Sequence, residues 1–185
     1  MADTVNTMAE IEDLFQQQTI LMLGYDTEEI DGVPQNQDKV RITYPQIGQP
    51  AFKVTDEVAF VSVFCKDDPY NRLFEATYEE IDEETAQRNI NYTRAIDVKW
   101  TFYGPEAFDR ADLVRALIFQ TPYATEFKAK NIYLVPDVSA PVRLPEMFNG
   151  QWWNRADFSA TFYEKVIRTS EAAFIKSAET TIMKG

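Results

Sequence analysis

Residues 89–103 read Asn89-Ile90-Asn91-Tyr92-Thr93-Arg94-Ala95-Ile96-Asp97-Val98-Lys99-Trp100-Thr101-Phe102-Tyr103. Ile90, Tyr92, Ile96, Val98, Trp100 and Phe102 all fall on even positions, and their odd neighbours are mostly polar. Period two marks a strand with one face on a core. Arg94 is the single charge on the apolar face. The run is about three times the usual strand length. The strand therefore bends near Thr93-Arg94 or extends beyond its own sheet.

Working outward, Gly104-Pro105 ends the strand, with Pro105 predicted at the first position of a helix. Phe108, Ala111, Val114, Leu117 and Ile118 give that helix an apolar stripe reaching about Gln120, with Pro122 just past it. Glu106 and Asp109 suit its first turn, and Glu106 and Arg110 are spaced to pair. Upstream, Val58 to Cys65 is apolar on both faces and predicts a central strand buried from both sides. Val40, Ile42 and Tyr44 alternate as a shorter strand, and residues 24–39 read as loop with an Asp31-Gly32 turn signal. Thr7 and Glu10 form a capping box for a helix carrying Met8, Ile11, Leu14 and Phe15, which ends by Gly24.

Downstream, Ile132 to Val135 is a short strand. Pro136, Pro141 and Pro145 enforce an extended connection, and Asn149-Gly150 signals a hairpin. Trp152 to Thr169 alternates again, and a last strand is expected around Phe174 to Ile182. The order predicts an α+β fold: a largely antiparallel, mixed sheet flanked by two main helices, with extended loop and hairpin arms. One domain over residues 1–185 is expected at this length.

The 185 residues carry 18 Lys and Arg against 30 Asp and Glu, a net charge of −12, with no histidine and one cysteine, Cys65. A chain this long buries roughly 70% of its unfolded surface and needs no disulfide or metal to fold. Without histidine there is no Ser-His-Asp or Cys-His triad and no His-based zinc site. A single cysteine excludes an intrachain disulfide. The acidic balance opposes binding nucleic acid by phosphate neutralisation. The start of the chain does not read as a signal peptide, and no apolar run is long enough to span a membrane. The charge is polarised: residues 1–84 hold 19 acids and 5 bases, residues 85–185 hold 11 acids and 13 bases. This is a solvated face, a face turned toward something negative, or one half of a head-to-tail contact.

Chemistry-bearing patterns are sparse. The six glycines are far apart, so no phosphate loop exists. Asp26 to Gly32 fails the calcium-loop pattern, with Ile30 and Asp31 where a carboxylate and a glycine belong. Glu79 to Glu84 reads as a solvated acidic loop as readily as a set of paired carboxylates. Cys65 reads as an inert core thiol. Arg94 reads as an active-site residue or as paired with a carboxylate at a subunit contact, and the second is preferred because no catalytic partner is visible. Trp152 and Trp153 face opposite sides of a strand, so one enters the core. The other is exposed, covered by a loop or packed on a partner. Tyr103, beside the Gly104-Pro105 corner, is treated in the same way. Long strands, a proline-stiffened arm and polarised charge suit a subunit of a closed ring.

Val40-Arg41-Ile42-Thr43-Tyr44-Pro45-Gln46-Ile47-Gly48-Gln49-Pro50 is followed by the apolar strand and Lys66-Asp67-Asp68. Then come Tyr92-Thr93-Arg94, Tyr103-Gly104-Pro105 with Phe108-Asp109-Arg110-Ala111, and Asn131-Ile132-Tyr133-Leu134-Val135-Pro136. Ala140 to Phe158 closes the series, with Leu144-Pro145-Glu146-Met147-Phe148-Asn149-Gly150-Gln151-Trp152-Trp153-Asn154-Arg155 as its most specific part. In this order, over residues 40–165, the chain resembles the bacteriophage neck, or tail, terminator family. It departs from that pattern at Phe162-Tyr163-Glu164, where the family has Phe-Asn-Glu.

The resemblance implies a virion protein of the neck, assembled in the host cytoplasm, with no enzymatic activity, cofactor or membrane contact. It implies a ring, typically of six copies, on the head-proximal end of the tail tube. Such a ring stops tube polymerisation and docks the tail to the head connector while DNA passes through unbound. Arg94, Tyr103, Trp152, Trp153 and Arg155 are the expected interface residues. Asp67, Asp68, Glu79, Glu80, Asp82, Glu83 and Glu84 are expected to face the lumen. The competing readings are a head-side stopper or other connector, and a carboxylate-dependent hydrolase.

Overall fold

A computed structural model describes residues 3–27, 29–30, 33–34, 36–43, 51–82 and 85–173. The chain runs α1 (Met8–Met22), β1 (Glu29–Ile30), β2 (Val33–Pro34), β3 (Val40–Ile42), β4 (Val58–Cys65), β5 (Phe74–Glu80) and β6 (Thr85–Tyr103). It continues with α2 (Ala107–Leu117), α3 (Tyr123–Ala129), β7 (Ile132–Leu134), β8 (Val142–Arg143), β9 (Glu146–Phe148), β10 (Gln151–Trp153) and β11 (Arg155–Ala173). The main sheet has the order β3-β4-β6-β11-β7, with β5 added along β6 and β8 along β11. Only the β3–β4 pair is parallel among the described strands. This is the expected α+β arrangement with a mixed sheet, and it carries one helix more than the two predicted.

The overlong strand runs out of its own sheet. β6 and β11 pair over all 19 residues, from Tyr103 opposite Arg155 to Thr85 opposite Ala173. β4 flanks β6 only over Ile96–Tyr103, and β7 flanks β11 only at Phe162–Glu164. Past that point β5 joins β6 from Tyr92 to Ala86, so a three-stranded ribbon projects from the body.

The core forms where the even positions of β6 meet the helices. Trp100 stacks on Phe158 at 4.7 Å, and Phe15 of α1 packs on Trp100, Phe127 and Phe162. The Trp100 indole N–H donates to the Thr19 hydroxyl at 2.9 Å, which meets the need of a buried donor. The capping box is present: the Thr7 N–H donates to Glu10 Oε2, and the Glu10 N–H donates to Thr7 Oγ. Gly24 follows the α1 C-cap at φ +76°, a conformation that glycine adopts without strain.

Several expectations change. β4 is not buried evenly on both faces: Ala59, Val61 and Val63 enter the core, while on the other face Val58 is buried, Phe60 and Ser62 are half-buried and Phe64 is exposed. Cys65 ends that strand at the surface and is not a core thiol. Pro105 lies before the α2 N-cap, Glu106, rather than inside the helix. The predicted helix stops at Leu117, and α3 follows it. The alternating run from Trp152 breaks at Asn154. β10 folds back on β9 about Asn149-Gly150, both at positive φ, and β11 begins at Arg155. β1 and β2 pair within the segment read as loop. The expected strand at Phe174 to Ile182, Tyr44 at the end of the Val40 strand, and Glu83 and Glu84 lie outside the described residues.

Candidate assembly surfaces

One face of the sheet carries the helices, and the odd positions of β6 point to the other. There the β9–β10 hairpin and Phe52 lean over the sheet and leave an open groove of about 830 Å³. Phe52 packs on Phe60, Tyr103 and Trp153 at 5.3 to 5.8 Å, and Phe148 meets Trp153 at 6.2 Å. The Trp153 indole N–H is buried there without a hydrogen-bond partner.

Beside these rings lies a polar lattice. Arg155 donates to both oxygens of Asp157, at 2.8 and 2.7 Å, and to Glu146 at 2.9 Å. Lys99 reaches Asp157 at 3.1 Å, and the Tyr103 hydroxyl donates to Glu146 at 2.9 Å. Burial, followed by the hydrogen bond to Glu146, pushes the Tyr103 hydroxyl up to about 12. Burial also raises Asp157, but the hydrogen bonds and charges of Arg155 and Lys99 outweigh it and hold the carboxyl below its usual range. The hydrogen bonds to Asp157 lead in holding Arg155 firmly protonated. Two carboxylates share one guanidinium, and one of them is kept ionised, the reverse of what a general acid requires.

Tyr103, Trp153 and Arg155 therefore come together, as neighbours on β6, β10 and the start of β11. Trp152 stands on the opposite face of the hairpin, 64% exposed, across from Met147. Arg94 is far from this group, nine residues and about 30 Å along β6. Its carboxylate comes from its own chain, not from a second subunit: Arg94 Nε donates to Glu164 at 2.6 Å and Nη2 to the Asn6 carbonyl at 2.6 Å. Asn6 in turn donates to Glu164 from its backbone and its side chain.

The described acidic residues lie toward the ribbon. Asp67 holds Arg72 at 2.8 Å, and Asp68 caps the 3-10 turn Pro69–Arg72 by accepting from the Tyr70 N–H. Asp68 also accepts from the Tyr163 hydroxyl at 3.4 Å. Glu79 and Glu80 end β5, and Asp82 caps the hairpin tip by accepting from the Thr85 N–H. Every residue of β5 is exposed.

Sequence reading missed Phe52, Phe60, Lys99, Glu146 and Asp157. Asp157 had a usable signal, sitting two residues from Arg155 on one strand face. Glu146 meets Arg155 only through the hairpin register, which no local pattern reveals.

Residues 9–185 match the family model of the phage neck terminator protein. The chain belongs to that family. No curated protein matches it in sequence. As a neck terminator it is a structural protein of the virion that works among other tail and head proteins. The matched span takes in both the groove and the ribbon of this terminator. Among the described residues, no helix is long and apolar enough to cross a membrane, and no cluster of side chains is arranged to hold a metal ion.

Proposed function

We propose that this neck terminator forms a ring, typically of six copies, on the head-proximal end of the tail tube. The ring stops tube growth, presents its other face to the head connector and leaves a channel for DNA. Family membership over residues 9–185 carries this reading. The geometry supports it: the molecule has a projecting ribbon and a surface groove, and the two carboxylates beside that groove, Glu146 and Asp157, are tied up by Arg155. Tyr103, Trp153 and Arg155 are assigned to contacts with tail or head partners around the groove. Asp67, Asp68, Glu79, Glu80, Asp82, Glu83 and Glu84 are assigned to the channel wall, where like charge lets DNA slide.

The test is to assemble tails with and without the protein and image them. Overlong tubes in its absence, restored to uniform length by adding it, are expected. Tubes of normal length that fail to join heads would replace this reading with a head-side stopper.

A further inference from the structure

The ribbon leaves the body where β6 changes partners. β4 ends opposite Ile96 and β5 begins opposite Tyr92, so no described strand flanks Thr93, Arg94 and Ala95 on that side. A side chain takes the strand's place. Asn71, in the 3-10 turn, accepts from the Ala95 N–H at 2.8 Å and donates to the Lys66 carbonyl at 2.5 Å. The Lys66 N–H donates in turn to the Ala95 carbonyl at 2.9 Å. The same turn packs Tyr70 on Tyr163, the residue directly opposite Ala95, at 5.6 Å. Ala95 is fully buried, so its N–H depends on Asn71 rather than on water.

The next register pair, Arg94 opposite Glu164, is held by Asn6. The Asn6 side chain donates to Glu164 and to the Lys130 carbonyl at the end of α3, both at 2.8 Å. Its own carbonyl accepts from Arg94, and the next residue, Thr7, is the N-cap of α1. Both helices are therefore tied to both long strands at one point. Successive strand residues point to opposite faces. The pairs Ala95–Tyr163 and Arg94–Glu164 are thus gripped from opposite faces, by the turn on one and by Asn6 on the helix side.

We infer that Asn6 and Asn71 are positioning residues that lock the root of the ribbon and fix the direction in which it projects. Past the root, β6 continues through nine residues, Thr85–Thr93, or about 30 Å. A tilt of about 20° there would carry the tip about 10 Å sideways, two strand spacings. Without the Asn71 amide the buried Ala95 N–H loses its acceptor, and a tilt that admits water relieves that cost. Without the Asn6 amide the Lys130 carbonyl and one bond to Glu164 are released. The use of a fixed ribbon in assembly rests on the ring reading above; the lock itself does not.

The test places spin labels at Tyr78→Cys on the ribbon and Lys128→Cys on α3, both exposed, in a Cys65→Ser chain, and measures the distance between them. The parent should give one narrow distribution. Asn71→Ala and Asn6→Ala should each broaden it, and the double variant should broaden it most. Arg115→Met, which removes bonds from α2 to the Val138 and Ser139 carbonyls, should lower the melting temperature and leave the distance narrow. A distribution in the double variant as narrow as the parent's overturns the lock. The second measurement adds each unlabelled protein to growing tail tubes. The double variant should leave tubes overlong at concentrations where the parent and Arg115→Met stop them. A double variant that broadens the distance yet stops tubes as the parent does would overturn the positioning role. A parent that fails to stop tubes would overturn the ring reading, while the distances still decide the lock.

Discussion

Glu164 is completely enclosed, and a carboxylate in such a place is stable only when its charge is answered. Arg94 answers it, and Asn6 fills the remaining acceptor sites. Removing the arginine strands a buried charge, which costs more than the pair itself contributes. Arg94→Met should therefore lower unfolding stability by about 3–5 kcal/mol. The double change Arg94→Met/Glu164→Met should cost clearly less than the single one. Urea denaturation of the two variants checks this, and equal losses would refute it. Periodicity alone singled out Arg94 as the odd charge on an apolar face. Its partner was hidden because Glu164 is 70 residues away and becomes a neighbour only through the β6–β11 register.

At the scale of elements, α2 begins without a cap from its own side chains. Glu57, from the loop before β4, supplies one by accepting from the Glu106 N–H at 2.9 Å and approaching Arg110 at 3.3 Å. Gly104 makes room for this. A Cβ there would lie 2.5 Å from Glu57 Oε2 and 2.8 Å from the Asp56 carbonyl, and φ is +124°. Gly104→Ala should destabilise the protein by about 1–3 kcal/mol from backbone strain alone, and by more through displaced Glu57. A thermal melt unchanged from the parent would contradict this. The strand end at Gly104 and the Asn149-Gly150 hairpin were readable because glycine and asparagine punctuate the chain locally. The two sides of β4 were not. Phe60 and Phe64 look like core residues in sequence, and only the layer order shows that no helix covers them. α3 was missed because seven residues carry too little periodicity to distinguish from a loop.

For the whole molecule, the skewed charge was legible from the first count, but its geometry was not. Glu75 and Glu79 of β5 lie on the face opposite Phe74, Ala76 and Tyr78, whereas Glu80 shares the face of Tyr78. The channel role proposed for the acids can be tested on Glu75 and Glu79 alone. Glu75→Lys/Glu79→Lys leaves the Asn6 and Asn71 contacts at the root of the ribbon intact, so rings should still form. If that face borders the DNA path, the new lysines attract phosphates and release counterions, an interaction that weakens steeply with salt. Genome ejection from virions carrying the variant should then be slower than from the parent at low salt and approach the parental rate as salt rises. An ejection rate unchanged at every salt concentration would place Glu75 and Glu79 away from the DNA path.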